Sequence, residues 1–329
     1  MIEILSASAL ATVQDLGREG GRRWGVGTSG AMDPLALAAG NLLLGNDEQA
    51  AGVEVPVFPF QVRFTEDSAF AVTGADCNAR LDDAPLLPWW THEARAGQVL
   101  SLGLPQAGPT RACRAYLCLA GGVDVPAVLG SRSTQLRGAF GGHEGRALRQ
   151  GDALRAGAPG RGLRATGFGL VPPALALPLH VDELPAMRVL PAAEYKGYTK
   201  ASRAAFWNGA WKITSQSDRY GYRLSGTPLE PVAAMEMRSH GIVPGVIQVP
   251  PDGQPIVQMR DAQPSGGYPK LGTVIEADLW RLGQAPIGSR VRFVETTWEA
   301  AVAALDEIDQ WLHDAGRLLD LHRTAKGRS

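Results

Sequence analysis

Three glycine-punctuated blocks carry most of the residues that could do chemistry: Thr12-Val13-Gln14-Asp15-Leu16-Gly17-Arg18, Ser29-Gly30-Ala31-Met32-Asp33-Pro34 and Gly130-Ser131-Arg132-Ser133-Thr134. Each sets one or two polar side chains among backbone-permissive residues, which suits a pocket wall better than a core. Glycine reaches positive φ and allows close approach to the main chain, so Gly beside Arg, Asp and Ser predicts backbone amides and guanidinium groups converging on an anion. Arg132, between Ser131 and Ser133, is the strongest candidate for bidentate binding of a carboxylate, carboxybiotin or phosphate. Arg18, Arg146 and Arg223 are further candidates of the same kind. Asp33 has two roles open to it, substrate contact or helix cap, because Asp before Pro is a standard helix start.

A second set lies after residue 230. Asp261 and Gln263 follow a strand ending in Met259-Arg260 and precede Ser265-Gly266-Gly267-Tyr268. A carboxylate, an amide and a phenol at a glycine-rich strand end can orient an amide-bearing substrate and serve as general base. Glu236 and Ser239 extend this set, with Glu236 open either to catalysis or to pairing with Arg238. The first set supplies anion binding and the second a base and amide-orienting groups. Arg18, Asp33 and Arg132 are therefore expected to share a site with Glu236, Asp261 and Tyr268.

Absences narrow the field. The chain contains no P-loop, Gly-x-Ser-x-Gly elbow, His-Glu-x-x-His, Cys-x-x-Cys, Ser-Ser pair or Met-Lys-Met biotinylation tripeptide. No metal site is expected. Only five of the 32 basic residues are lysines, the first being Lys196, so the first half holds neither a Schiff-base nor a biotinyl lysine.

The elements that must position these groups read as mainly β. Strands are expected at Val53–Val57, Gln61–Phe64, Ala69–Val72, Gln98–Leu100, Ala115–Leu119, Met187–Leu190, Trp211–Thr214, Val246–Val249, Pro255–Met259 and Arg290–Val294. Many short strands with few helices favour barrels. One helix opens at Asp33-Pro34, with Leu35, Ala38, Ala39, Leu42 and Leu43 on one face, and stops at Gly45-Asn46. A long C-terminal helix is predicted, with a Thr296–Glu299 capping box and a core-facing stripe of Trp298, Val302, Leu305, Ile308, Leu312 and Leu319, its tail fraying after Arg317. The Gly-, Ala- and Pro-rich stretch 156–180 reads as a linker between domains at 1–155 and 181–329. A faint echo sets Val53-Glu54-Val55 parallel to Met235-Glu236-Met237.

With 329 residues, 45% hydrophobic and 20% charged, the chain has the composition of a globular protein. Its net charge of -1 gives no electrostatic ground for nucleic acid or an anionic membrane as partner. With no apolar run of membrane length and no signal segment, it is expected to be cytoplasmic, with Cys77, Cys113 and Cys118 buried and reduced.

Together with Gly40-Asn41-Leu42-Leu43-Leu44-Gly45-Asn46, Gly121-Gly122-Val123-Asp124-Val125-Pro126, Tyr220 to Gly226, Ile247-Gln248-Val249-Pro250-Pro251 and Gly266-Gly267-Tyr268-Pro269, the three blocks resemble the family of the 5-oxoprolinase C subunit. That family is also described as allophanate hydrolase subunit 2, or as the biotin-dependent carboxyltransferase domain of urea amidolyase. The resemblance runs from about residue 10 to about residue 294. It implies two cyclophilin-like β-barrel domains and a site drawn from Arg18, Asp33, Arg132, Ser133, Arg146, Arg223, Gln248, Gln263 and Tyr268 for substrate, with Asp261 and Glu236 as catalytic groups. Pro264-Ser265 departs from the family's Gln-Thr pattern and removes a backbone donor. The resemblance further implies a heteromeric, ATP-dependent 5-oxoprolinase in which ATP acts through the complex. In it, this chain and a KipI-like homologue of the B subunit phosphorylate the lactam of 5-oxoproline, and a homologue of the A subunit opens it to glutamate. Two alternatives stay open: biotin-dependent carboxyl transfer to urea or a related amide, and a non-enzymatic Kip-type regulator of a sensor-kinase inhibitor.

Overall fold

The computed structural model describes residues 1–8, 10–105, 112–158, 166–172 and 179–326. Of the predicted linker, 159–165 and 173–178 lie outside them. Two compact units emerge: the described residues of Met1–Arg18, Ser29–Ala176 and Asp309–Ser329 form one, and those of Glu19–Thr28 and Leu177–Ile308 the other. No helix is long and apolar enough to cross a membrane among the described residues.

The first unit is built from two antiparallel sheets. One orders its strands Ala153–Leu154, Ile2–Ser6, Phe60–Phe64, Val99–Leu102, Arg80–Leu81, Ala84–Pro85. The other runs Thr12–Gln14, Gly52–Val55, Ala115–Leu119, Ser68–Gly74, Trp90–Ala94. Their facing apolar residues, among them Ile4, Val62, Leu100, Val53, Phe70 and Leu117, form one core. Helix α1 (Pro34–Leu43) covers the other face of the second sheet through Ala36, Leu37 and Leu43 against Ala71, Tyr116 and Cys118. A strand covered on both faces needs no alternation, which is why all five residues of Ala115–Leu119 are apolar and buried.

The second unit is a closed barrel of seven strands, in the order Leu184–Pro191, Lys270–Val274, Val246–Gln248, Ile256–Gln258, Gly221–Ser225, Trp211–Ile213, Arg290–Glu295. A parallel pairing of Met187 with Phe293 brings the last strand back to the first, and Leu179–Val181 adds to the outside of Leu184–Pro191. Closure leaves no free sheet edge in the ring. Helix α2 (Lys200–Asn208) stacks Phe206 on Phe293 at 4.9 Å, and α3 (Glu276–Gln284) is anchored by the buried Asp278, which accepts from Arg188 at 2.7 and 2.8 Å. The protein is thus mainly β with a long C-terminal helix, as its short alternating strands predict.

Helix α4 (Trp298–Lys326) corrects three expectations. Thr297, not Thr296, caps it, accepting from Ala300 N at 3.3 Å. Its buried face keeps Ile308 and Leu319 of the predicted stripe and adds alanines: Ala301, Ala304 and Ile308 pack on Ile275 and Ala277 in the second unit, while Ala315 and Leu319 are buried in the first. Trp298, Val302 and Leu305 point to solvent. A close approach of helix to support at its N-terminal end excludes Trp298, Val302 and Leu305 and admits the alanines. The helix also runs past Arg317 to Lys326, and Arg323 donates to the carbonyls of Leu42 and Leu43 at the C-terminus of α1, a favoured place for a cation. Cys77 and Cys118 are buried, with burial pushing both thiols up to about 12, but Cys113 is only half-buried.

Candidate functional site

The three glycine blocks meet in the first unit, and Asp15 is where they meet. Its carboxylate accepts from Ser131 Oγ at 2.7 Å, Ser133 Oγ, the Arg132 amide at 2.5 Å and the Gly17 amide at 2.8 Å. Its carbonyl accepts from Ala31 N at 2.8 Å, which ties in the Ser29–Pro34 block. Gly30 sits at φ 96°, where a Cβ would come within 2.9 Å of the Leu16 and Gly17 backbone, so the block closes this tightly only as glycine. The amides of Gly17 and Arg132, expected to serve a bound anion, serve the protein's own carboxylate.

Arg18 is 1% exposed, lies over the Phe140 ring at 4.9 Å and donates from Nη2 to Ser133 O at 2.6 Å. Asp33 caps α1, accepting from Ala36 N at 2.9 Å, while its own amide donates to Tyr116 Oη at 2.8 Å. That phenol donates to the fully buried Glu54, which also accepts from Met32 N at 2.8 Å. Burial, then the Glu54 and Asp33 carboxylates, push the Tyr116 hydroxyl well up. Glu54 and Tyr116 thus hold the Ser29–Pro34 block in shape, a role the sequence pattern does not single out. Glu236, its counterpart in the sequence echo, is exposed and outside any strand.

A cavity of about 570 Å³ opens beside Asp15, walled by Asp47, Gly121, Gly122, Asp124 and Arg132. Arg132 is half-exposed and its ion pair to Asp124 is long, at 4.0 Å, so the guanidinium is not locked. Arg146 contrasts with it, bound to Asp152 at 2.7 and 2.8 Å and to Glu144 at 2.8 and 3.0 Å, which holds its proton more tightly. The same contact, helped by the Arg149 amide, holds the Asp152 carboxyl down at about 2. A carboxylate lowered in the folded state stabilises above its unfolded value of about 3.9, and that contribution is lost as pH falls through about 2. Asp152→Asn is therefore expected to be less stable than the parent at pH 6 in thermal melts, with the two converging by about pH 2.

In the second unit Asp261 is fully buried and both its oxygens accept from Arg219 at 3.0 Å. Gly27 and Thr28 pack here too: Thr28 Oγ1 donates to Arg260 O at 3.3 Å, and a Cβ on Gly27 would lie 2.6 Å from Ala262 O. Gln248 is buried and accepts from Gln258 Nε2 at 3.0 Å. Gln263 and Arg223 are exposed, and Tyr268 is 46% exposed. Arg219, 42 residues from Asp261, is a member of the set that the sequence pattern does not reveal. Among the described residues no group of three or more His, Cys, Asp or Glu could hold a metal ion.

Comparison with known proteins places these features. The family model of the carboxyltransferase domain, subdomain A and B, matches residues 24–295. The chain is 44% identical over 308 residues to the 5-oxoprolinase C subunit of Escherichia coli (strain K12), covering 92% of this chain and 94% of that one. It is 42% identical over 320 residues to the 5-oxoprolinase C subunit of Haemophilus influenzae, covering 97% and 99%. Among solved structures, the urea amidolyase of K. lactis superposes with a TM-score of 0.85 at 28% identity over 95% of this chain, which spans only 20% of that one. With its family model matched over most of its length and two relatives above 40% identity end to end, this chain belongs to the carboxyltransferase domain family, subdomain A and B.

Proposed function

We propose that this chain is the C subunit of a heteromeric, ATP-dependent 5-oxoprolinase, acting with homologues of the A and B subunits to convert 5-oxoproline to glutamate. The observation that carries this is the end-to-end match: the alignments with the two C-subunit relatives cover 92% or more of this chain and 94% or more of theirs. The cavity beside Asp15 does not fit a triphosphate, since Arg132 is the one cationic side chain among its lining residues, against the acidic Asp47 and Asp124. Nucleotide binding is accordingly assigned to the assembled complex, consistent with the absence of a P-loop in this chain. Within it, Arg132, whose guanidinium is half-exposed and only loosely paired, is the group that meets a substrate carboxylate. Mixing the chain with its A- and B-type partner subunits should give ATP-dependent glutamate release that is lost when any one is omitted. Turnover of 5-oxoproline by the chain alone would contradict the assignment.

Arg132 supplies a second test. Arg132→Lys keeps the charge and loses the planar fork. The side chain is 46% exposed and its Asp124 contact is long, so the melting temperature of the variant should not move. The complex should lose about tenfold or more in kcat/KM, the worth of one charge-assisted hydrogen bond. A parallel fall in stability would instead mark a structural ion pair.

A second assignment, carboxyl transfer to urea or a related amide, is favoured by the superposition on urea amidolyase. It requires biotin carboxylase and biotin carrier domains from other chains.

A further inference from the structure

The N-terminal half of α4 leaves three large apolar side chains in solvent: Trp298 is 69% exposed, Val302 43% and Leu305 38%. Their spacing of i, i+4 and i+7 sets them within about 60° of one another around the helix axis, in one ridge about 10 Å long. All three belong to the second unit, as do Ala301 and Ala304, whose packing on Ile275 and Ala277 fixes which way the ridge points. Single exposed apolar residues are ordinary, but a contiguous ridge of them, a tryptophan included, marks a surface that meets another apolar one.

The charge around the ridge says what can cover it. From Glu295 to Gly316 the chain carries six carboxylates, Glu295, Glu299, Asp306, Glu307, Asp309 and Asp314, and neither Lys nor Arg. Asp309 continues the ridge by one further turn, and Glu299 and Asp306 run beside it on the flank away from Ala301 and Ala304. Asp306 and Asp309 are exposed and, among the described residues, neither has an ion-pair partner. Further along the helix, by contrast, Asp314 and Asp320 meet Arg317 and Arg323. Laying the ridge on the same ridge of a second copy would set carboxylate against carboxylate in either direction, and an anionic lipid surface would be repelled in the same way. What fits is apolar at the centre and cationic along one edge. An amphipathic helix with Lys or Arg beside its apolar stripe has that pattern, and it packs along an exposed helix by the ordinary interdigitation of side chains.

We propose that the ridge of Trp298, Val302 and Leu305 is the docking surface for a basic amphipathic helix of another protein chain. The surface stands on exposure and charge; taking that chain to be one of the partner subunits rests on the oxoprolinase assembly proposed above. Trp298 is the anchor of the contact, a residue type that often dominates an interface, and the carboxylates select the partner and speed its approach.

The test measures, by calorimetry at about 50 and 500 mM NaCl, binding of the full chain to the A- and B-type subunits separately. A synthetic Leu/Lys amphipathic helical peptide and its Leu/Glu counterpart serve as chemical probes. Trp298→Ala should weaken binding of one subunit, and of the Leu/Lys peptide, about thirtyfold or more. Asp306→Lys combined with Asp309→Lys should weaken it about tenfold at low salt and flatten its salt dependence. Both variants alter exposed side chains, so their melting temperatures should stay within about 2 °C of the parent. Loss of subunit binding in these variants upholds the surface by itself. If the parent binds a subunit and the variants bind it equally, the docking surface is overturned, even if the complex releases glutamate. Peptide binding that the variants lose, with neither subunit bound by the parent, would uphold the surface and sink the oxoprolinase assembly. Binding of neither subunit and neither peptide, equal affinity for the Leu/Glu peptide, or a self-association of the parent that Trp298→Ala abolishes would each overturn the proposal.

Discussion

Asp15→Ala should lower the stability of the chain by about 4 kcal/mol, among the largest effects of any single substitution. The loss follows from the four donors that the carboxylate satisfies: two hydroxyls and two backbone amides, from residues 17, 131, 132 and 133. Each buried donor left without an acceptor costs about 1–3 kcal/mol, and partial relaxation keeps the total below the sum. Asp15→Asn retains one acceptor oxygen but turns an NH₂ toward groups that are themselves donors, and should cost about 2 kcal/mol. Denaturant melts monitored by fluorescence would read both. Because Arg132 hangs from the same loop, either variant should also reduce activity in the complex. An Asp15→Ala chain within about 1 kcal/mol of the parent would show that the blocks are held by something else.

The second large effect is expected at Asp261. Removing one partner of a buried ion pair costs about 3–5 kcal/mol, because the other charge stays buried and uncompensated. Asp261→Ala should reach the lower end of that range, about 3 kcal/mol, because Arg219, 7% exposed, loses both hydrogen bonds to this carboxylate. Asp261→Asn separates two roles. If the carboxylate works as general base, this near-isosteric change removes activity and spares the melting temperature. If it anchors Arg219, as its two engaged oxygens favour, the melting temperature drops as well. The comparison needs only thermal melts and a reconstituted assay on the same preparations.

What can be read from the sequence, and what cannot, divides by range. Ala115–Leu119 is legible to the residue because a strand buried on both faces leaves an unbroken apolar run. Helix α1 is legible at its start because Asp33-Pro34 is a local signal that needs no partner. The face of α4 is legible only in part, because two stripes share one period: Trp298, Val302 and Leu305 satisfy it with Ile308 as well as Ala301 and Ala304 do. Side-chain size points to the first, and the closeness of the supporting surface selects the second. The three glycine blocks stand out in the sequence, and two of them line the cavity, yet Asp15, which joins all three, reads locally as a turn residue. Its partners in the third block lie 116 to 118 residues away, and only the folded sheet brings them together. Arg219 with Asp261 and Glu54 with Tyr116 are hidden for the same reason.

The assignment to 5-oxoprolinase is tested most directly by measuring what ATP hydrolysis is coupled to when this chain is combined with its A- and B-type partner subunits. With 5-oxoproline present, ADP and glutamate should form in equal amounts, and urea with bicarbonate should stimulate neither. ADP formation that responds to urea and bicarbonate through a biotinylated carrier, with no glutamate from 5-oxoproline, would contradict it.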